Sequence, residues 1–571
     1  MEGREYSFKS NWLVTNLFKT LRDKHLYIVI FHIFLLIPSL FILGDFFLSN
    51  FFIFMKNYLY FSFGLLENNL KFYICLLLIS FIHLTFIQSF KVSIIKVLSI
   101  LLCFNIMKTF VIFFMKISNL YTSYLLIYSY NFFGNFLNLE YSIGMDNISL
   151  IFIGLTVFLI PICLIISCNN IYYNLKSFFL LYLILEILLI NVFLATDLVL
   201  FYIAFETILI PMYLLIGFWG SSVRKVHAAY LFFLYTLGGS LFMLIALIFC
   251  QLNVGSTNIN ILLNFTFSPY RELFLWFFFF IGFAVKIPMM PVHLWLPEAH
   301  VESPTSGSVA LAGILLKLGT YGILRFLIPL FQFSSVFFSP FVFLLSFFGV
   351  FYASLTTLRQ IDLKKIIAYS SVIHMNYLMF GLFSFNLEGL VGSLILMVAH
   401  GFVSGGLFAC IGVLYDRYHT RLQKPYGGLN YFNPIFSSFF LIFILGNISF
   451  PGTINFLGEF LVLLSIFIKN IFLGISIMFL MILSTCYSLW LYNKVFSGLI
   501  VKNLFLLKTK SCGILFKILE FHRFFLLNNS DLNLREFISL FYLLLPVFYL
   551  GLHPKYLINL VEVVFSNLLT F

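Results

Sequence analysis

The stretch WFFFFIGFAVKIPMMPVHLWLPEAHVESPTSGSVALAGILLKLGTYGILR, residues 276–325, decides how the chain folds. It is strongly apolar, but Lys286 and Lys317 each lie inside a hydrophobic run. Pro288 and Pro291 follow Lys286, and because proline lacks a backbone donor they interrupt a helix there. Ionisable groups at membrane depth cost roughly 3 kcal/mol each, and an interrupted helix is tolerated there only where its backbone lines protein or a water-filled cavity. The stretch is therefore predicted to be part of an ion path, and a proton path in particular.

The composition of the whole chain is that of a polytopic membrane protein. Of its 571 residues, 62% are hydrophobic and only 9% are charged, and the mean hydropathy is +1.06. No soluble domain of this size has such a composition. The net charge of +12 would suggest nucleic acid in a soluble protein. Here the basic residues lie mainly in short loops, where they set membrane orientation.

The eight cysteines are scattered, and none forms a CxxC pair. Cys163 and Cys168 lie inside an apolar run, too isolated for a metal site. We expect all eight to be inert packing residues, without disulfides or iron–sulfur ligation. The first 25 residues are mixed in charge and lack a clear cleavable signal, so they are predicted to precede the first apolar helix.

About fifteen segments reach the roughly 20 apolar residues that a spanning helix needs. They are 26–45, 70–88, 94–116, 148–168, 176–195, 197–218, 228–250, 272–287, 303–327, 335–357, 364–384, 389–413, 436–468, 471–493 and 534–552. The run 436–468 is too long for one straight span and is interrupted at Pro451-Gly452. The stretch 118–140 and the tail 556–571 are ambiguous.

Loop charges give the orientation of these spans. Basic residues follow the spans 197–218, 335–357, 389–413 and 471–493, and the intervening loops have few. The four loops lie on one side by parity, and the positive-inside rule assigns them to the matrix or cytoplasmic face. Two proline-interrupted segments, at Pro288/Pro291 and Pro451-Gly452, are the pattern of an inverted-repeat transporter with its site at the membrane midplane.

Several ionisable residues are predicted near the middle of their spans. Half of the membrane corresponds to about ten helical residues. Glu206 comes nine residues after Asp197, and His374 comes ten after Lys364. The candidate relay residues are Glu206, Lys286, Lys317, His374, His400 and Glu459.

The residue types at the midplane suit proton transfer. A lysine has an unperturbed pKa of about 10.4, which burial lowers and a nearby carboxylate raises. A Glu206–Lys286 pair of variable separation would therefore be a switch that changes the repulsion felt by Lys317. Histidines with an unperturbed pKa of about 6.5 suit the next relay positions. An acid at the far end, Glu459, would receive and discharge the proton.

Structural alternatives stay open for each of these residues. A single intramembrane histidine such as His374 or His400 can be a helix-packing residue, and Glu206 can be a structural partner of Lys286. His293 and His300, beside the break near the membrane edge, make a poor metal pair because no convergent cysteine or aspartate accompanies them. Glu298 and Glu302 are expected on a solvated loop face. Metal ligands are therefore expected nowhere in the chain, and the relay interpretation depends on the residues as a set.

The chain resembles the antiporter-like membrane subunits of respiratory complex I over about 141–495. The resemblance lies in LATDLVLFYIAFETILIPMYLLIGFWG, KVHAAYLFFLYTLGGSLFMLIALI, AVKIPMMPVHLWLPEAHVESPTSGSVALAGILLKLGTYGILR, RQIDLKKIIAYSSVIHMNYLMFG and GSLILMVAHGFVSGGLFACIGVLYDR. In NISFPGTINFLGEF, Glu459 occupies a position where the sister subunits 2 and 5 usually have lysine. The chain also ends soon after the last span, without the long lateral helix expected of subunit 5. These two features distinguish it from both sisters.

The resemblance implies an all-α fold with about fourteen transmembrane helices, two inverted five-helix repeats and discontinuous helices 7 and 12. It identifies Glu206 with the helix-5 glutamate, Lys286 with its helix-7 lysine partner and Lys317 with the central helix-8 lysine. His374 and His400 correspond to the connecting histidines, and Glu459 to the terminal helix-12 acid. The chain departs from the family before about residue 70, where an extra helix is expected, and near 502–533.

The expected organisation is an N-terminal extension at 1–69, N-terminal helices at 70–195, an antiporter-like core at 196–495, and a basic loop with a C-terminal helix at 496–571. The resemblance implies a proton-translocating subunit of NADH:ubiquinone oxidoreductase in the mitochondrial inner membrane. It places NAD, FMN, iron–sulfur clusters and quinone reduction on partner subunits and no cofactor here, with sister subunits 2 and 5, lipids and protons as partners and no nucleic acid. A multisubunit cation/proton antiporter and a purely structural scaffold are the alternatives.

Overall fold

The computed structural model describes residues 140–168, 170, 171, 173–498 and 531–569, the strand 125–131 and single positions between 96 and 107. All of them belong to the second of two compact units, which runs from Phe72 to Phe571. The predictions for the N-terminal extension, for the spans 26–45 and 70–88 and for most of the loop 502–533 lie outside these residues. The span 94–116 is described only at isolated positions.

A short antiparallel hairpin precedes the described helices. It consists of β1 (Leu125–Asn131) and β2 (Glu140–Met145), with an irregular register between Leu126 and Tyr128. Asp146 follows β2 directly and caps the first helix through a reciprocal capping box with Ser149, which satisfies two backbone donors of the helix terminus. The hairpin falls mainly in a stretch that the sequence left ambiguous.

Ten helices occupy the chain from the hairpin to residue 337. They are α1 (Asn147–Ser167), α2 (Leu175–Leu194), α3 (Leu198–Thr207), α4 (Leu209–Trp219), α5 (Lys225–Val254), α6 (Ile259–Leu263), α7 (Pro269–Lys286), α8 (Trp295–Glu302), α9 (Thr305–Leu330) and α10 (Gln332–Phe337). Prolines begin some of these helices, as Pro269 does at α7, because the first helical position needs no backbone donor.

Eight further helices follow in the described residues. They are α11 (Ser339–Arg359), α12 (Leu363–Leu382), α13 (Leu387–Tyr418), α14 (Pro434–Asn447), α15 (Ile454–Lys469), α16 (Ile471–Phe496), α17 (Leu534–Leu552) and α18 (Lys555–Leu569). The ambiguous tail is thus helical in α18. Within the described part of the chain, nine helical segments are long and apolar enough to cross a membrane, with α3 and α4 counted together as Leu198–Trp219. The prediction of an all-α polytopic fold is confirmed, whereas the count of fourteen helices and the inverted repeat stay predictions.

Interruptions in the helices occur where the sequence predicts them and at one further position. Helix α7 ends at Lys286 and α8 begins at Trp295, with Pro288 and Pro291 between them. Helix α14 ends at Asn447 and α15 begins at Ile454, around Pro451-Gly452. The further break, between α3 and α4 at Ile208, was not predicted, although Pro211 in the first turn of α4 lacks the backbone donor that would bond the carbonyl of Thr207.

The centre of the bundle is formed by α9 and α13, whose apolar spans are completely buried, whereas only 28% of the α16 span is buried. Two π-helical turns, Leu311–Leu315 and Ile323–Leu327, widen α9; such turns are frequent at functional sites. Arg325 in the second turn forms a buried ion pair with Asp146 at the start of α1. The core therefore surrounds the helices that carry Lys317 and His400.

Candidate functional site

Glu206 and Lys286 face each other across two helix ends. Glu206 is the second-last residue of α3, and Lys286 is the last residue of α7, where it is 3% exposed. The two side chains interact electrostatically, and the Lys286 ammonium lies 4.1 Å from the centroid of the Phe205 ring. Among the described residues, neither Lys286 Nζ nor Glu206 Oε1 has a hydrogen-bond partner. The pair is therefore coupled electrostatically without a hydrogen bond at these two atoms.

Lys317 is completely buried in α9, directly after the first π turn. Its Nζ donates a hydrogen bond to the carbonyl oxygen of Ala312 in that turn. The same Nζ lies 2.8 Å from Nδ1 of His400 in α13. One proton is shared along this contact, because a charged lysine donates to Nδ1 whereas a neutral lysine can accept from it.

Two histidines and a glutamate continue from Lys317. The rings of His400 and His374 have their centroids 5.6 Å apart. His374 Nδ1 lies 3.2 Å from Glu459 Oε1, and His374 Nε2 lies 3.0 Å from Asn447 Oδ1. Glu459, which is 5% exposed, also accepts a hydrogen bond of 2.6 Å from the Ser449 hydroxyl at Oε2. The structure thus brings four of the six predicted residues into one continuous chain.

Glu206 and Lys286 lie on α3 and α7, and α7 packs closely against α9, the helix that carries Lys317. A Cβ added at Gly319, two residues after Lys317, would lie 3.2 Å from Lys286 Cβ and 2.7 Å from Ile287 Cγ1. Only a glycine therefore allows α9 to approach α7 so closely. Lys286 and Lys317 share this packing interface without a direct hydrogen bond among the described contacts. Of the predicted residues, the structure places Glu206 and Lys286 together as a pair and the other four as a chain.

His300 is a buried ionisable residue that the sequence reasoning placed near the membrane edge without a role. It is completely buried in α8 and stacks on Phe408, with ring centroids 4.6 Å apart and an interplanar angle of 10°. It interacts electrostatically with Lys317 and with Lys364. Neither ring nitrogen has a hydrogen-bond partner among the described residues. In the sequence, His300 was marked only by its position in the proline-interrupted stretch 276–325, which also contains His293.

Two other acids were misplaced or missed. The expectation that Glu302 lies on a solvated loop face is wrong, because Glu302 is 4% exposed at the end of α8. Its carboxylate accepts a hydrogen bond from the hydroxyl of Ser222, in the loop between α4 and α5. Glu298 is partly exposed and forms an ion pair with Lys365. Glu186, inside α2, is completely buried beside Cys103. An acid twelve residues into an apolar span would have marked Glu186 as a candidate.

Among the described residues, no group of three or more histidines, cysteines, aspartates or glutamates converges as a metal site would require. The described cysteines are free thiols, of which Cys486 is exposed and the others are buried.

Comparisons with known proteins agree with this architecture. The family model for the transmembrane region of the NADH:quinone oxidoreductase/Mrp antiporter proteins matches residues 195–485, a range that contains all six predicted residues. NADH-ubiquinone oxidoreductase chain 4 of Marchantia polymorpha is 49% identical over 431 residues, covering 76% of this chain and 83% of the relative. The chain 4 proteins of Arabidopsis thaliana and Chondrus crispus are 50% and 51% identical, each with 76% of this chain and 83% of the relative covered.

A solved structure matches the fold over most of the chain. A chain of respiratory complex I from Thermus thermophilus with bound NADH superimposes with a TM-score of 0.73 at 25% identity, covering 87% of this chain and 99% of that chain. The similarity therefore extends well beyond the range of the family model.

Proposed function

Because this chain belongs to the family of NADH-ubiquinone oxidoreductase chain 4, the antiporter-like membrane subunits of respiratory complex I, we propose that its buried ionisable chain carries protons across the membrane. The family membership makes it a multi-pass protein of the mitochondrial inner membrane and a subunit of the H⁺-translocating NADH:ubiquinone reductase. The proposed path consists of the Glu206–Lys286 pair, Lys317, His400, His374 and Glu459. In this proposal NAD, FMN, the iron–sulfur clusters and quinone reduction belong to partner subunits, and sister subunits 2 and 5 are neighbours in the membrane.

The observation that carries the proposal is a pair of close contacts, Lys317–His400 and His374–Glu459, whose two histidine rings lie next to each other. Lys317 Nζ and His400 Nδ1 are 2.8 Å apart, and His374 Nδ1 and Glu459 Oε1 are 3.2 Å apart. The two histidine rings between them lie at 5.6 Å, a separation that one water molecule can bridge. Each of these groups can gain and lose a proton, so proton-exchanging side chains lie on both sides of the gap between the two histidine rings.

The Glu206–Lys286 pair supplies the switch in this mechanism. When Glu206 approaches Lys286, it stabilises the ammonium charge and reduces the repulsion on Lys317, which keeps its proton. When the two separate, the uncompensated charge of Lys286 favours proton release from Lys317 towards His400. The missing hydrogen bonds at Lys286 Nζ and Glu206 Oε1 among the described residues fit a pair that must change its separation.

The same observation argues against a purely structural role. Buried charges that only hold helices together are stabilised by close pairing and hydrogen bonds, since an unpartnered buried charge is costly. Lys286 is buried without such a bond among the described residues. A purely structural role does not account for a buried ammonium without a hydrogen bond, whereas a role in proton transfer does.

Lys317→Ala in the assembled complex tests the proposal. We expect normal amounts of assembled complex. Proton translocation through this subunit should fall about 100-fold or more, because a general acid or base contributes a factor of that size. The matched control is Lys469→Ala, because Lys469 Nζ donates to the carbonyl of Phe383 and contacts none of the six residues. Full proton stoichiometry in Lys317→Ala would contradict the proposal. Parallel losses of assembly and activity in charge-removing variants would favour a scaffold instead.

A further inference from the structure

The break between α14 and α15 carries two polar side chains that face His374 and Glu459. Asn447 is the last residue of α14 and is 6% exposed. Ser449 follows two residues later with φ 60°, in the left-handed region that glycine adopts without steric cost. A non-glycine residue in such a conformation marks a candidate for function. The presence of serine rather than glycine at this position therefore indicates that the Ser449 side chain has a function.

Asn447 determines which nitrogen of His374 carries a fixed proton. Its Oδ1 lies 3.0 Å from His374 Nε2, and an amide oxygen can only accept a hydrogen bond. His374 Nε2 therefore carries a hydrogen. In the neutral tautomer this leaves Nδ1 as an unprotonated acceptor, directed at Glu459.

The contact between His374 and Glu459 then requires exactly one more hydrogen. A neutral Nδ1 and a carboxylate oxygen are both acceptors, and they would repel each other at the observed 3.2 Å. The contact is favourable when the proton lies on Nδ1, as an imidazolium beside a carboxylate, or on Oε1, as a neutral imidazole beside a carboxylic acid. The pair has zero net charge in both states, so proton exchange within it creates no net charge in the buried site.

Ser449 makes the two carboxylate oxygens of Glu459 inequivalent. Its hydroxyl donates to Oε2 at 2.6 Å and also lies against the carbonyl oxygen of Ile448. The hydroxyl of Tyr377 donates to the backbone carbonyl of Glu459 at 3.0 Å, which holds this turn of α15 in place. With Oε2 directed to Ser449, only Oε1 faces the imidazole.

We propose that Asn447 and Ser449 are positioning residues that confine the exchangeable proton to the line between His374 Nδ1 and Glu459 Oε1. In the transfer, the Nδ1–H bond breaks and an O–H bond forms at Oε1, while the imidazolium and the carboxylate both become neutral. Asn447 accepts from Nε2 in both states, so the proton that exchanges within the pair is the one at Nδ1. This inference rests on the proposed relay and adds to it the two residues of the helix break.

Two substitutions at Asn447 test the role of its oxygen. Asn447→Leu removes the acceptor at similar size, and we expect proton translocation in the assembled complex to fall about tenfold, less than the roughly 100-fold for a lost general acid or base. Asn447→Gln keeps a neutral amide oxygen as acceptor towards Nε2 without adding a charge, and is expected to restore translocation. The matched control is Asn455→Leu, since Asn455 is completely buried just after the break and has no side-chain hydrogen-bond partner among the described residues.

Ser449→Gly tests the second residue without dependence on the first. Glycine accepts the φ of 60° and removes only the hydroxyl, so the variant is expected to assemble normally and to translocate protons more slowly. Ser465→Ala is the control, because Ser465 lies on the same helix as Glu459 and its hydroxyl bonds the carbonyl of Val462 in its own helix.

Three results would overturn the inference: normal translocation in Asn447→Leu, no recovery in Asn447→Gln, or an equal loss in Asn455→Leu. If Asn447→Leu does not assemble, normal translocation in Ser449→Gly overturns it. Lys317→Ala is measured in parallel to separate this inference from the proposed function. Normal pumping in Lys317→Ala would contradict the proposed relay. If Lys317→Ala loses pumping but the Asn447 and Ser449 variants pump normally, only the positioning roles are contradicted.

Discussion

Lys317 Nζ lies 2.8 Å from His400 Nδ1, although the two residues are 83 positions apart in the chain. Both side chains are buried, on the two helices whose apolar spans are completely enclosed. A lysine and a histidine at this distance cannot both carry a full charge without strong repulsion. The contact therefore couples the protonation of one to the loss of a proton from the other.

This coupling predicts that Lys317 and His400 act as one unit. His400→Leu should lower proton translocation by about 100-fold, as Lys317→Ala does, and the double substitution should be little worse than either alone. The measurement is proton uptake by vesicles containing the assembled complex, with NADH oxidation followed in the same sample. Additive losses in the double variant would show that the two residues act independently.

The open Glu206–Lys286 pair gives a second prediction. Glu206→Gln keeps the shape of the side chain but removes the charge that stabilises Lys286, so the switch is lost while the helices still pack. We expect normal assembly and strongly reduced pumping in intact vesicles. Glu388→Gln, at an exposed position of α13, is the control and should pump normally. A Glu206→Gln complex that pumps at the normal rate would show that the carboxylate is dispensable.

The close approach of α7 and α9 gives a prediction about packing. In Gly319→Ala the new methyl group would lie 2.7 Å from Ile287 Cγ1 and 3.0 Å from the carbonyl oxygen of Phe283. Such overpacking costs about 1–3 kcal/mol and pushes Lys286 away from Lys317. The thermal unfolding midpoint of the complex and its pumping rate should both fall. Gly238→Ala is the control, because a Cβ there meets nothing within 4 Å, and it should change neither quantity.

The buried ion pair between Arg325 and Asp146 predicts a stability effect without a direct effect on proton transfer. The two side chains are 6% and 4% exposed, so Arg325→Leu leaves a buried carboxylate without this partner and should destabilise the fold by about 3–5 kcal/mol. The readout is the yield of complex and its thermal unfolding midpoint. Arg359→Leu, at an exposed position, should be neutral. Replacing Asp146 and Arg325 together by leucine should recover part of the lost stability.

The sequence alone predicted the helical spans of the described region and the depth of the candidate residues in the membrane, and the depth stays a prediction. Both follow from local rules, because a helix rises by a fixed distance per residue and the bilayer has a fixed apolar thickness. Counting from Asp197 to Glu206 or from Lys364 to His374 therefore needs no knowledge of neighbouring helices. Pro288 and Pro291 likewise predicted the break beside Lys286, and Pro451-Gly452 the break before Glu459, since proline acts on its own backbone.

Only the tertiary structure decided which of these residues touch. His374 meets Glu459 and Lys317 meets His400 because α9, α12, α13 and α15 pack together, and such contacts depend on residues far apart in the chain. The same packing buries Glu302 and His300, which a helix-by-helix reading placed near the surface. It also turns Asn447 and Ser449 towards the terminal pair. Their side chains carry no charge, so nothing in the local sequence singled them out, and their role depends on the partners that the fold brings within hydrogen-bond distance.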